Sequence, residues 1–306
     1  KATRQRVLEA AKNLNYRPNI MARGLVKRQT YLVGLVVPDI MSSFFPEIIQ
    51  GIEEITNQKG YSIILCTSEN DILRESTHIH SLLNKGVDGL IISPVYGSDI
   101  AEMDKMIAQE QKPVVYLARK IPAIQGIFVG VNDIHIGYQA TSHLIQLGHK
   151  QIAHLAGDSQ FTQSQQRKQG FLDALEKHGL NSKDALIIRS GYLIEEGYLS
   201  TKELLKHTPR PTAIYAVSDV TAIGAIQAIR EMGLKVPENI AVVGTDDVQI
   251  ASLIETPLTT VAHHKRQMGN TAAQILVAST EGKKGESVEL VTELIIRNSC
   301  GAKFRK

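Results

Sequence analysis

The residues best suited to holding a small molecule fall just after short apolar runs. Phe44 and Phe45 follow "YLVGLVV" within "PDIMSSFFPE", Arg119 follows "PVVYL", and Arg167 opens the segment after "QIAHLAG". Tyr192 follows "ALIIRSG", Ser218 and Asp219 follow "TAIYAV", and Asp246 and Asp247 follow "IAVVG". Adjacent aromatics with arginines and carboxylates suit a sugar. Rings cover its C–H faces, and fixed charges hold its hydroxyls in hydrogen bonds worth roughly 1.5–3 kcal/mol each. Each residue alone has a plainer reading, Phe44 as core and Asp219 or Asp246 as a helix cap. Their shared position is what points to a site, because ligands of open parallel sheets bind outside the carboxyl ends of the strands.

Signatures of turnover are missing. The chain has no GxGxxG after a strand, no GxxxxGK[ST], no HExxH and no paired CxxC. The pairs His263 with His264 and His78 with His80 lack recognised metal spacing, and no nucleophile stands beside an evident base. A binding protein is expected, with no metal and no cofactor. The enzyme rival, a sugar-modifying α/β protein, requires a nucleophile, metal or phosphate loop.

The elements that must position these residues are legible in the apolar pattern. The runs are residues 31–37, 61–65, 89–93, 113–117, 151–157, 185–188, 212–217 and 240–244. Unbroken Val, Ile and Leu without alternation suits strands buried on both faces. Between them lie helix-length segments near 45–59, 72–85, 99–110, 134–148, 163–178, 194–206 and 219–233. Several end at Gly60, Gly86, Gly148, Gly179 and Gly233, where a C-terminal cap is expected. Strand and helix in alternation predict parallel sheets clothed by helices. Eight units allow an eight-stranded barrel, but the extra extended run "GIFVGVND" (126–133) breaks the rhythm after four and favours two sheets. A last helix near 265–281 and the apolar tail "SVELVTELIIRN" follow.

Charge sets the N-terminus apart. The first thirty residues hold eight Lys or Arg and one acid, Glu9, leaving 26 basic and 30 acidic residues for the rest. A basic arm on a mildly acidic body suggests nucleic acid or an anionic surface as partner, against the plainer reading of a solvated terminus. No apolar run reaches the ~18 residues of a spanning helix. Cys66 and Cys300 form no paired motif, and no signal peptide is evident, as fits a reducing cytoplasm.

Within the arm, "TRQRVLEAAKNLN" (3–15) is an amphipathic helix with Thr3 in the capping position, and its apolar face calls for partner helices upstream. In "RPNIMARGLVKRQT" (17–30), Pro18 and Asn19 start a short helix with Met21 and Leu25 on one side and Arg23 and Lys27 on another. About eight residues with Gly24 in the middle cannot hold a helix alone. Such a segment suits folding on DNA, with cations on phosphates and Leu25 wedged in the minor groove.

The pieces "TRQRVLEAAKNLNYRPNIMARGL", "VGLVVPDIMSSFFPEIIQGIE", "GVDGLIIS", "HLIQLGHKQIAHLAG", "QRKQGFLDAL", "PTAIYAVSDVTAIGAI", "VPENIAVVGTDD" and "PLTTVAHHKRQMG" occur in order across almost the whole chain. In them the chain resembles the LacI/GalR family of bacterial transcription regulators, and "YLARKIP" is similar to regulators of maltose-type systems. The resemblance implies an α/β fold of two doubly wound parallel-sheet lobes, of periplasmic-binding-protein type, joined by three crossovers. Residues 1–30 would be the remnant of a helix-turn-helix domain plus a hinge helix, its first two helices absent here. One lobe would be 31–131 with 264–285, the other 132–262 with 286–300. It implies a cytoplasmic homodimer, paired mainly through the first lobe, that binds operator DNA through Asn19, Arg23, Leu25 and Lys27 and has no membrane partner. A carbohydrate effector would touch Phe44, Phe45, Arg119, Val131, Arg167, Tyr192, Ser218, Asp246 and His263.

Departures from the family pattern bear on the effector. Ala118 stands where many relatives have Asp, Ser218 replaces a usual Asn, Thr245 an aromatic and His263 a usual Gln. A lost carboxylate beside retained arginines makes the cleft less negative, so a phosphorylated or acidic sugar stands beside a neutral one as effector. A sugar-binding receptor without a DNA role is the remaining alternative. It has no use for a basic, leucine-bearing arm.

Overall fold

The computed structural model describes residues 2–14, 29–96, 100–121 and 126–302. The chain opens with α1 (Ala2–Asn13), so Thr3 lies inside the helix rather than capping it. Asn19, Arg23, Leu25 and Lys27 lie outside the described residues.

Five strands then alternate with three helices: β1 (Leu32–Val37), α2 (Phe45–Gln58), β2 (Ser62–Thr67), α3 (Ile72–Asn84), β3 (Gly89–Ile92), α4 (Ile100–Gln109), β4 (Val114–Leu117) and β5 (Ile127–Val131). The second half repeats the alternation with α5 (Asp133–Gln146), β6 (Ile152–Ala156), α6 (Thr162–Lys177), β7 (Leu186–Arg189), α7 (Ile194–Leu204), β8 (Ala213–Ala216), α8 (Asp219–Glu231), β9 (Ala241–Asp246) and β10 (Thr259–Ala262). The chain closes with α9 (Lys265–Thr280), β11 (Val288–Leu290) and β12 (Glu293–Ile295). Two open six-stranded sheets result, in the orders β11-β5-β4-β3-β1-β2 and β12-β10-β9-β8-β6-β7. A single barrel is thereby excluded.

Local signals start and stop these helices. Asp71 caps α3 by accepting from Leu73 N and Arg74 N, and Asn132 caps α5 by accepting from His135 N. Gly60, Gly86, Gly148, Gly179 and Gly233 end helices at φ between +72° and +84°, a region that costs a side chain energy and glycine almost none.

Both faces of each sheet are buried, as the unbroken apolar runs require. Val33, Leu35, Ile91 and Val115 pack with Ile48 and Ile52 of α2 and Met268 and Leu276 of α9. On the opposite face Val36, Leu90, Ile92 and Tyr116 meet Ile79 and Leu82 of α3 and Met103 and Ile107 of α4. The second sheet sits likewise between α5 with α6 and α7 with α8. Each large aliphatic side chain so buried contributes about 1.5–3 kcal/mol. The α2–α9 pair is in backbone contact. A β-carbon on Gly51 would overlap the carbonyl of Arg266, and one on Gly269 that of Ile48.

The tail corrects one expected boundary. The family resemblance implies that residues 286–300 belong to the second lobe, but β11 lies in the first sheet, parallel to β5 through Val288↔Val129 and Leu290↔Val131. Only β12 reaches the second sheet, antiparallel to β10. Three-residue strands carry too little pattern to reveal which sheet they join. The chain therefore passes between the sheets after Val131, between Ala262 and Lys265, and between Leu290 and Glu293. No helix among the described residues is long and apolar enough to cross a membrane.

Candidate ligand-binding site

Strand ends of both sheets converge on Arg167. It lies in the second turn of α6, and its buried guanidinium is fixed on several sides: Nε donates to Asp133 Oδ1 at 2.7 Å and Nη1 donates to Val217 O at 2.6 Å. Nη1 also lies 3.6 Å from Asp246 Oδ1, and Nη2 lies 3.4 Å from His263 Nε2. Burial alone would lower the pKa of Arg167, but the carboxylates of Asp133 and Asp246 outweigh it and keep the guanidinium charged.

His263 completes this wall. Burial first, then Arg167 and Lys265, hold its pKa well below the ordinary value, so the ring is neutral. An Arg167 N–H directed at Nε2 requires that nitrogen to accept, which leaves the proton on Nδ1. Nδ1 is buried and has no hydrogen-bond partner among the described residues. The ring edge meets Phe44 at 5.4 Å between centroids, and Phe44 in turn meets Phe45 edge-on at 5.3 Å. Phe45 itself is core.

Asp246 ends β9 at φ +112°, a region that ordinary side chains avoid. Burial lifts its carboxyl to about 6, against the pull of Arg167 and Lys265. Lys265 Nζ donates to Asp246 O at 2.6 Å and Asp247 O at 2.8 Å, and lies 3.3 Å from Glu47 Oε1. Three acceptors match the three protons of an ammonium, so the strained peptide is held from behind.

A second group lies across the cleft. Arg119, half-buried at the end of β4, donates from Nη1 to Asn70 Oδ1 at 3.0 Å and sets its guanidinium 5.2 Å over the Phe161 ring. Phe161 stands edge-on to Tyr192 at 6.2 Å, and Tyr192 Oη lies 2.7 Å from Ser164 Oγ. Burial raises the Tyr192 pKa while Arg167 lowers it, so the two groups share one electrostatic environment.

Two further candidates have local duties. Ser218 caps α8, its Oγ accepting from Thr221 N at 3.2 Å, and Val131 is buried in the apolar cluster that holds Phe45. Asp219 is no cap: its oxygens accept from Val248 N at 2.9 Å and Thr260 Oγ1 at 2.5 Å. Among the described residues no His, Cys, Asp and Glu are grouped to hold a metal ion.

Sequence reasoning missed Asp133, Phe161, Asn70 and Lys265. Asp133 closes the extra run before α5, two residues past the end of β5, and Phe161 and Asn70 follow strands, so the strand-end rule extended by a few residues reaches all three. Nothing in the local pattern marks Lys265, because its acceptors are backbone carbonyls.

Comparison with known proteins places this geometry. Residues 30–298 match the family described as periplasmic binding proteins and sugar binding domain of LacI family. The HTH-type transcriptional repressor PurR of Histophilus somni (strain 129Pt) is 35% identical over 301 residues, which cover 98% of this chain and 90% of that protein. Among solved structures, the lac repressor dimer bound to operator and the anti-inducer ONPF superposes with a TM-score of 0.87 at 29% identity, covering 97% of this chain and 90% of that one. The CelR–cellobiose complex gives 0.79 at 31% identity, with the same coverage of both chains.

Proposed function

The chain belongs to the LacI family of transcriptional regulators, and we propose that it is a homodimeric, non-enzymatic repressor of a carbohydrate operon, with a sugar or sugar derivative bound between its two sheets. Repressor relatives of nearly full coverage support this reading, as does the complex of CelR with cellobiose. We take residues 31–131, α9 and β11 as one lobe and residues 132–262 with β12 as the other. Effector and operator are then linked through the relative setting of the lobes. Work on DNA places the protein in the cytoplasm.

One observation carries the effector site. Arg167 is buried, charged and immobilised by Asp133 and Val217, with Asp246 and His263 Nε2 beside it and Phe44 against the His263 ring. A guanidinium beside a carboxylate offers donors and acceptors to adjacent sugar hydroxyls, and an aromatic wall covers the ring. A specific feature favours an anionic sugar. Arg119 hydrogen-bonds to the uncharged acceptors Asn70 Oδ1 and Pro94 O, with the buried Glu75 as its carboxyl neighbour and Ala118 where many relatives carry a carboxylate, so part of its charge is left for a phosphate or carboxylate.

A thermal-shift series over glucose, maltose, cellobiose, glucose 6-phosphate and gluconate tests the reading. A ligand at a hundred times its Kd stabilises by about 2.7 kcal/mol. At least one compound is expected to raise Tm in the wild type and leave Arg167→Ala unmoved. An equal rise in both proteins would place the sugar elsewhere.

A further inference from the structure

The first sheet has a cleft end and an arm end, and two helices span it. Both α2 and α9 begin beside the cleft, at Phe44 and at Lys265, and both finish at the opposite edge, where the chain comes in from the arm. Sixteen residues make α9 about 24 Å long. Its backbone contact with α2 through Gly51 and Gly269 leaves no room for one helix to slide freely on the other.

At the arm end the incoming chain is held by the buried acid Asp88, by the backbone of Gly86 and Ser62, and by Tyr61. Asp88 accepts from Thr30 N at 2.9 Å and from Tyr31 N at 2.8 Å. Tyr31 sits at φ +57°, with its ring 5.4 Å from that of Tyr61. Tyr61 N donates to Thr56 O in the last turn of α2. Its hydroxyl stands 2.7 Å from Gln29 Nε2 and 2.9 Å from Thr280 Oγ1, the last residue of α9.

The protons of this chain run in one direction. Thr280 Oγ1 donates to Val277 O at 2.7 Å, so it must accept from Tyr61, whose single proton is thereby used. Tyr61 Oη then accepts from Gln29. The sequence of donors is Gln29 to Tyr61 to Thr280 to the α9 backbone, and none can be reversed without leaving a group unpaired. At the other end of α9, Lys265 holds the carbonyls of the strained Asp246–Asp247 turn, beside the Asp246 carboxylate.

We propose that Tyr61 is a positioning residue for DNA binding: its hydroxyl fixes the last residues of the arm to the α2–α9 pair, so that a shift of these helices at the cleft moves the arm. The inference rests on the regulator reading above. It assigns Tyr61 no contact with effector or DNA.

The test uses the full-length protein and a DNA duplex that the protein selects from a random pool, with affinity read by fluorescence anisotropy. Lys265→Met releases the cleft end of α9, and Tyr61→Phe removes the hydroxyl but keeps the ring against Tyr31. Lys265→Met is expected to change duplex affinity in the wild-type background, and that change is expected to shrink at least fivefold in the Tyr61→Phe background. Thr280→Val should act like Tyr61→Phe, with no further loss in the double variant, and the Tm of the Tyr61→Phe and Thr280→Val variants should stay close to wild type. Lys265→Gln replaces Lys265→Met if the apolar side chain prevents folding. Equal effects of the Lys265 substitution in both backgrounds, or no effect in either, overturn the relay while leaving the regulator reading intact. A protein that selects no duplex overturns the regulator reading and the relay with it.

Discussion

Arg167 Nε meets Asp133 Oδ1 at 2.7 Å, and both side chains are only 6% exposed. A pair so buried is costly to half-remove, because the surviving charge has no water to turn to. Asp133→Asn keeps the shape of the partner and removes its charge. The expected loss is about 3–5 kcal/mol, seen as a lower urea midpoint at unchanged m-value, together with weaker sugar binding.

Glu75 supplies a pH signature. Its side chain is fully buried with Oε2 accepting from Val95 N at 2.9 Å, and burial lifts its pKa to about 7, against the opposing effects of Val95 N and Arg119. A carboxyl with a raised folded pKa favours folding in its protonated form. That contribution is fully present below about pH 4.3, the unfolded value, and is lost as pH rises through about 7. Glu75→Gln retains an acceptor and never ionises, so it should be more stable than wild type at pH 8, by up to about 3 kcal/mol. The advantage should vanish by pH 4, and urea midpoints across that range measure it.

Ala118 occupies φ +61° at the end of β4. The left-handed region costs an L-residue roughly 1–2 kcal/mol, and the extra freedom of unfolded glycine takes part of that back. Ala118→Gly should therefore stabilise by about 0.5–1 kcal/mol in a denaturant titration. Ala118→Asp tolerates the same backbone and adds a carboxylate near Arg119. It should shift preference away from sugar phosphates and toward neutral sugars, read as the ratio of the two dissociation constants.

Leu25 belongs to the stretch outside the described residues, and its role comes from the resemblance of "NIMARGLVKR" to family hinge helices. Leu25→Ala in the full-length protein should weaken binding to a selected duplex at least tenfold, since a lost wedge forfeits the bent complex. The melting shift given by a bound sugar should be unaffected.

How much could be read in advance follows from what each role depends on. Buried parallel strands announce themselves as runs such as "GLIIS" and "TAIYAV", and helix ends as glycines, so the strands through β9 and the helices packed on them were legible within a residue or two, whereas the threonine-rich β10 fell in no apolar run. Phe44, Arg167 and Asp246 were legible as a group because strand ends are a general address, whereas His263, which links Phe44 to the Arg167 guanidinium, was reached only through the family resemblance. Roles played through the main chain left no such trace. Lys265 answers to carbonyls and Asp88 to amides, and neither backbone group has a letter in the sequence. The sheet that β11 joins is hidden for a related reason. Three residues of alternating pattern fit either sheet edge.

The late strands also govern when the protein can be built. The first sheet lacks its edge until β11 and its packing helix until α9, and the second lacks its edge until β12. During synthesis at about 5–20 residues per second, neither lobe can close on its own N-terminal portion, and the two mature together only as residues 265–295 emerge, a span of a few seconds. A premature stop between residues 263 and 288 thus leaves two unfinished sheets rather than one usable domain, and such chains should be cleared by proteolysis instead of accumulating as half-regulators.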